Sequence, residues 1–514
     1  NTAVGSRAGA SVTTGVEDTL IGGLAGDALT TGQYNVALGS LALSSDTKGN
    51  TSTAIGRAAL QNQNFTTSTS TYNVAVGYNA GVQVTTGQVN TIVGALAGDA
   101  ITTGDYNVVL GVSALGANTA SNKNTAIGSN VMVNFNVTTD SDSFNTAVGY
   151  ESAKNLTTGA LNTLYGAAVG DALTDADRNV AMGYAALSQD TLGSRSTALG
   201  YGSLGSQNHS TATDTYNTAV GYASGNSIST GIQNTIIGSL AGDSLTAANY
   251  NVAVGTAALG VDTLGSRTTV VGYNALGTQN FTTAIDTFNT AVGFEAGAAV
   301  TTGVQNTIVG ALAGDAMTSG DSNTFIGYFA AGNGVVTGDT NTAVGISAGL
   351  ALTSGSNNLL LGKDAGRTGS PGGNFTTGNG GIVLGDENIS DAYIQVDWTI
   401  SSDERDKTDF ADLNLGLDFV KALEPVTYYW DKRSKYGDKD ADDYDLDNLT
   451  PDGTHKEDWM DVGFKAQSVQ ALEEAAGYKL SDKKNLTVSS VEDGKQLGLQ
   501  YSKFIPILVK AIQD

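Results

Sequence analysis

The stretch NTAVG, residues 1–5, decides how the rest of this 514-residue chain is read. The same pattern returns as NVALG (35–39), STAIG (52–56), NVAVG (73–77) and NTIVG (90–94). The closing glycines Gly5, Gly22, Gly39, Gly56 and Gly77 follow one another at steps of 17, 17, 17 and 21. That quartet is itself repeated, so the positions of Gly5, Gly77, Gly149, Gly221 and Gly293 rise by a constant 72. The rule drifts only near the end, where the steps between Gly327, Gly345, Gly362 and Gly385 are 18, 17 and 23. A fixed period of this length marks a repeat architecture and outranks any local helix or strand assignment.

Each period holds a short apolar run, a glycine, a small-residue stretch such as ALAG (95–98) and a turn such as TTGDYN (102–107). No helical periodicity is present, and short apolar runs bounded by Gly, Asn, Asp and Thr predict strands and turns. Asn before the run and Gly after it suit tight, partly left-handed corners. Within NTIVG, consecutive apolar residues must face opposite sides of a strand. Both sides then need cover: one inside the coil, the other against something else. A narrow coil of Ala, Val and Ile has little core of its own, so the expected partner is further copies of the same chain. The expected fold is mainly β, a trimeric parallel β-solenoid of 17- and 21-residue coils over residues 1–385.

Composition removes several function classes. The chain carries 50 acidic and 25 basic residues, a net charge of −25, which opposes nucleic-acid binding. No apolar run reaches the roughly 18 residues of a membrane helix, so membrane insertion is not expected. With no cysteine and only His209 and His455 as histidines, neither a thiolate metal site nor a His-based triad is favoured, and no metal or cofactor is expected. Charge is unevenly spread: residues 401–514 hold 24 acids and 15 bases, against 26 and 10 in the first 400. A boundary therefore falls near residue 400, giving a linker at 386–401 and a second domain at 402–514.

On that boundary lies ISSDERDKTD (400–409). SDERDK (402–407) resembles the opening signature of the self-cleaving peptidase S74 family, the intramolecular chaperones of phage tail fibres and tailspikes. GLDFVKALEPVTYYW (416–430), VGFKAQSVQALEE (462–474) and YSKFIPILVKAIQ (501–513) resemble its later blocks, in order. The repeats resemble trimeric adhesin heads and, more closely, the NTAVG-type arrays of tail-fibre proteins. The resemblance implies a small α+β chaperone domain ending in a helix that begins a trimeric coiled coil. It also implies a Ser–Lys dyad with Ser402 as nucleophile and Lys407 as base, cutting next to Ser402, between Ser401 and Ser402. A serine hydroxyl needs a base, and with no histidine nearby a lysine is the available candidate. Its amine must lose a proton to act, which burial or a neighbouring cation favours. Arg405 would help in this, whereas Asp403, Glu404 and Asp406 would oppose it unless turned outward. Five residues apart on a helix, the two side chains would point some 140° from each other. The dyad therefore needs a turn, or a lysine from a neighbouring subunit.

Near-identical coils can slip by one unit at small cost, so a separately folding trimer would set their register. The resulting expectation is a homotrimeric virion tail fibre that meets a host-cell surface receptor or glycan. Because the array opens in mid-pattern at Asn1, other tail proteins are expected to bind through a region N-terminal to it. The competing readings are a bacterial trimeric adhesin and a tailspike that degrades polysaccharide. The 21-residue coils should bulge, with Phe65, His209 and Phe281 offered to a sugar or a surface protein. Asp27, Asp99, Asp171, Asp243 and Asp315 form a column with the same constant step of 72, read as turn formers. DKDADDYDLD (438–447) echoes a calcium loop but lacks its sixth-place glycine and twelfth-place glutamate, and reads as a solvated acidic loop.

Overall fold

The computed structural model describes residues 1–514 apart from Asp397, Asp440 and Asp442, the last two within the acidic loop 438–447 and outside the described residues. The chain separates into two units, Asn1–Asn289 and Thr290–Asp514.

In the first unit the apolar run of each repeat is a three-residue strand, beginning with Thr2–Val4, Thr19–Ile21 and Val36–Leu38. Strands of successive coils pair in parallel and in the same register, Thr2 with Thr19, Ala3 with Leu20 and Val4 with Ile21. The longer coils keep that register, with Thr53 opposite Val74. The middle residue of each strand points inward: Leu20, Ala37, Ala54, Ala75, Ile92 and Val109 are all buried. The third points outward, and Leu38, Leu110, Tyr165 and Met182 stand exposed in a column along the sheet. Tyr184, Tyr201 and Tyr222 stack outside successive coils with ring centroids 5.6 and 5.3 Å apart.

Two residues of the pattern are dictated by backbone chemistry. The asparagine before the strand is buried, and only a side chain that both donates and accepts can satisfy the groups around it. Asn90 Nδ2 donates to the Gly104 carbonyl at 2.8 Å, and its Oδ1 accepts from the Asn107 backbone amide at 2.9 Å. Asn107 does the same one coil on, to Ser121 O at 3.0 Å and from Asn124 N at 3.0 Å. The glycine after the strand has φ near +137° at Gly94, and a Cβ there would lie 2.4 Å from the Gly111 carbonyl oxygen. Both the left-handed backbone and the close coil stacking exclude a side chain.

The 21-residue coils carry a buried polar knot. Asp46 accepts from the Gly49 and Phe65 backbone amides at 3.0 and 3.1 Å and from Gln63 Nε2 at 2.6 Å. Gln63 Oε1 in turn accepts from Asn73 Nδ2 at 2.9 Å. Asp190 with Gln207 and Asp262 with Gln279 repeat the arrangement. At the remaining equivalent place both members change together: Asn118 replaces the acid and the fully buried Phe135 replaces the glutamine. A buried carboxylate is tolerated where an amide meets it and disappears where that amide is lost.

This knot corrects one expectation. Phe65, His209 and Phe281 do not project from the bulges; they are buried, with 6%, 6% and 8% of their surface exposed. Their backbone amides bond the buried aspartate of the preceding coil, which turns each ring inward. The four extra residues are accommodated just beyond, where Thr66, Thr67 and Ser68 are exposed.

The second unit opens with the same ladder, from Thr290–Val292 to Leu359–Leu361 and Ile382–Leu384. After an exposed run comes a small α+β region. It contains helix α1 (Leu417–Ala422), an antiparallel pair Val426–Tyr428/Asp461–Gly463 and helix α2 (Ala466–Ala475). A hairpin Val488–Ser490/Leu497–Leu499 and helix α3 (Phe504–Gln513) complete it. Leu415, Phe419, Val469, Val488, Phe504 and Ile507 form its core. Among the described residues no helix is long and apolar enough to cross a membrane.

Candidate self-cleavage site

The geometry around Ser402 begins with Asp403. Its carboxylate accepts from the Arg405 backbone amide at 2.9 Å and so caps a single 3-10 turn, Glu404–Asp406. The Arg405 guanidinium closes on the same carboxylate through Nε at 3.0 Å and Nη2 at 2.7 Å. This pairing holds the Asp403 carboxyl below the usual carboxylate range. It also occupies Arg405, which on the sequence would have stood beside the lysine. Lys407 follows the turn in extended backbone, φ −126° and ψ 152°, with its amide bonded to the Glu404 carbonyl at 3.1 Å.

The tight turn does what a regular helix would not. It brings Lys407 Nζ back onto its own chain, where it donates to the Ser402 carbonyl at 3.1 Å and meets Ser402 Oγ in a short hydrogen bond. Of the two routes left open by the sequence, a turn or a lysine from a neighbour, the turn is present. Glu404 and Asp406 lie in the same turn and are exposed.

Chemically, a serine hydroxyl bonded to a primary amine is a nucleophile with its base, provided the amine is neutral. A water-excluded setting favours that state. The single chain does not supply one: every residue from Ser401 to Phe410 is exposed. The segment leading to the pair is equally bare. Ile394, Val396, Trp398 and Ile400 alternate with other residues, and Trp398 is 72% exposed. Alternation of this kind is the mark of a strand with one apolar face. A second uncovered apolar stripe runs along α3, where Ile505, Leu508, Val509 and Ile512 are exposed at i, i+3, i+4 and i+7. Phe504 and Ile507 of the same helix fill the domain core, so α3 is apolar on two sides.

Residues 402–478 match the family model Peptidase_S74, described as chaperone of endosialidase, and the match starts at Ser402 itself. A domain of this family behind a β-solenoid fits a protein of tail-fibre or tailspike type that carries an intramolecular chaperone. No curated protein matches the chain.

Proposed function

We propose that this chain is a phage tail-fibre protein whose C-terminal domain assembles three copies in register and then severs itself between Ser401 and Ser402. The observation that carries the reading is the bond from Lys407 Nζ to Ser402 Oγ at the first residue of the family match, in a family named for a peptidase. Ser402 is the nucleophile and Lys407 the base. Asp403 and Arg405 act as positioning residues that set the turn.

Two uncovered apolar surfaces support three-chain assembly as the step that precedes the cut. Joining the α3 stripes would bury Ile505, Leu508, Val509 and Ile512. Covering the exposed apolar residues Ile394, Val396, Trp398 and Ile400 with their counterparts from other copies would shut water away from the neighbouring dyad. Cleavage thus follows assembly, because the lone chain holds the pair in place but does not desolvate it. The solenoid is the lasting product, reaching toward a host surface receptor or glycan with its outward residues. The peptidase activity is a single turnover on its own chain.

The test is a denaturing gel. Wild-type protein should separate into a large fragment and a fragment starting at residue 402, whereas Ser402→Ala and Lys407→Met should stay at full length. A Ser402→Ala chain that is still cut at this bond would overturn the assignment.

A further inference from the structure

Where the last coil of the second unit meets the chaperone region, a carboxylate sits in a cradle of backbone amides. The turn of the hairpin Val488–Ser490/Leu497–Leu499 carries Glu492. One oxygen of Glu492 accepts from the amides of Thr376 at 3.1 Å, Thr377 at 2.7 Å and Gly378 at 2.5 Å, and from Thr376 Oγ1 at 3.4 Å. Beside it Asp493 accepts from the Asn374 amide at 3.2 Å, while the Glu492 amide donates to the Gly372 carbonyl at 3.4 Å. Consecutive amides converging on one anion form a nest, and hydrogen bonds to an ionised acceptor are among the strongest a protein makes.

In an ordinary coil the same three amides bond a carbonyl of the next coil, as Thr85, Thr86 and Gly87 bond Thr102 O, so Glu492 takes the place of a following coil. A Cβ on Gly378 would lie 2.5 Å from Glu492 Oε2, one on Gly373 2.8 Å from Val491 Cβ, and one on Gly369 2.4 Å from Ser434 Cβ. Gly369 and Gly373 belong to the insertion that lengthens the interval between Gly362 and Gly385, whereas Gly378 is the regular turn glycine stacked on Gly355. A second pin lies nearby: Lys439 pairs with Glu387, and Lys432 Nζ donates to the Glu387 carbonyl at 2.9 Å.

From this geometry we infer that Glu492 is a latch, which keeps the chaperone region seated on the last solenoid coil after the 401–402 bond is cut. Cutting and departure are then separate events. None of these contacts uses a residue between 388 and 414, so breaking the chain at 401–402 leaves all of them in place. Cleavage removes only the tether, which lowers the effective concentration of the hairpin at its seat and leaves its bonds unchanged. Withdrawal of the hairpin tip is the step that frees the shaft. It leaves the amides of Thr376, Thr377 and Gly378 open to another carboxylate.

The inference rests on the proposed self-cleavage, and one preparation separates the two. Denaturing electrophoresis reports whether the chain is cut; size-exclusion chromatography of the same sample reports whether the fragment stays. In wild type the fragment should co-elute with the shaft. Glu492→Gln should be cut to the same extent but lose the fragment about tenfold faster, because its amide oxygen still accepts but without the charge that strengthens the bonds. Asp493→Asn should show a smaller loss. If the denaturing gel shows no cut, the self-cleavage reading fails. The latch is then tested with a foreign protease site placed in the exposed segment 393–396 and cut by that protease. A wild-type fragment that leaves as fast as the Glu492→Gln fragment, by either route of cutting, overturns the latch.

Discussion

The solenoid and the chaperone region solve opposite problems. A solenoid coil finds its hydrogen-bond partners in the coils on either side: Asn90 bonds Asn107, Asn107 bonds Asn124, and a stacked glycine closes each strand. Every four-coil module therefore fits every other, which gives extension without any mark of where an alignment should start. In the chaperone region nothing repeats. Five core residues from three helices and a hairpin, with Leu415 just ahead of α1, define one arrangement, and Ile512 of α3 is left 85% exposed. One part offers many equivalent alignments, whereas the other offers one surface with a single exposed apolar stripe. Repetition builds length, and a unique surface is needed to choose a register.

The largest effect expected from disturbing this division is on assembly. On the proposed three-chain assembly, Ile512→Asp should abolish association in analytical ultracentrifugation while leaving the domain folded by near-ultraviolet circular dichroism, because Ile512 lies off the core. In the solenoid, Gly94→Ala forces a Cβ within 2.4 Å of the Gly111 oxygen at φ +137°. It should cost about 3 kcal/mol or more in thermal unfolding, the level of severe backbone strain. Gln63→Phe leaves the buried Asp46 without its amide and should cost about 3 kcal/mol. Adding Asp46→Asn recreates the solution found at Asn118 and Phe135 and should recover most of that loss, a coupling measurable in a double-mutant cycle.

The smallest expected effect is on pH dependence. Burial raises the carboxyl of Asp315 to about 6, and those of Asp99, Asp171 and Asp243 are raised for the same reason. A carboxyl whose folded pKa exceeds its unfolded value binds protons more readily when folded. Its contribution is thus full below about 4 and fades as pH rises through about 6. Asp315→Asn should stabilise the protein at pH 7.5 by on the order of 1 kcal/mol, reduced by partial solvent exposure, and by less at pH 4.5. Equal gains at both pH values would show that Asp315 is not the titrating group.

Much of this was legible in the sequence because the period is written in residues with strict backbone requirements. A left-handed glycine such as Gly94 and an asparagine that donates and accepts admit few substitutes, so the strands could be located from Gly and Asn alone. The turn uniting Ser402 and Lys407 was open on sequence, since positions five apart meet only in particular backbone shapes; the Asp403 cap decides it. The inward turn of Phe65, His209 and Phe281 was not legible. It depends on an aspartate 19 residues earlier that captures the following amide, a relation no local pattern shows. The seat of Glu492 was hidden in the same way, because the amides it binds lie far back along the chain, in the last coil. Only the stretched interval before Gly385 signalled that the last coil differs.

The shared register of the coils has a consequence for how such a molecule changes over generations. Removing residues 78–149 would join Gly77 to Tyr150, a junction of the same two residue types as Gly77 followed by Tyr78. Each surviving asparagine would find an equivalent neighbour on both sides, and each glycine an equivalent carbonyl. Length is thereby an adjustable quantity that can be edited in whole four-coil modules, with no compensating change elsewhere.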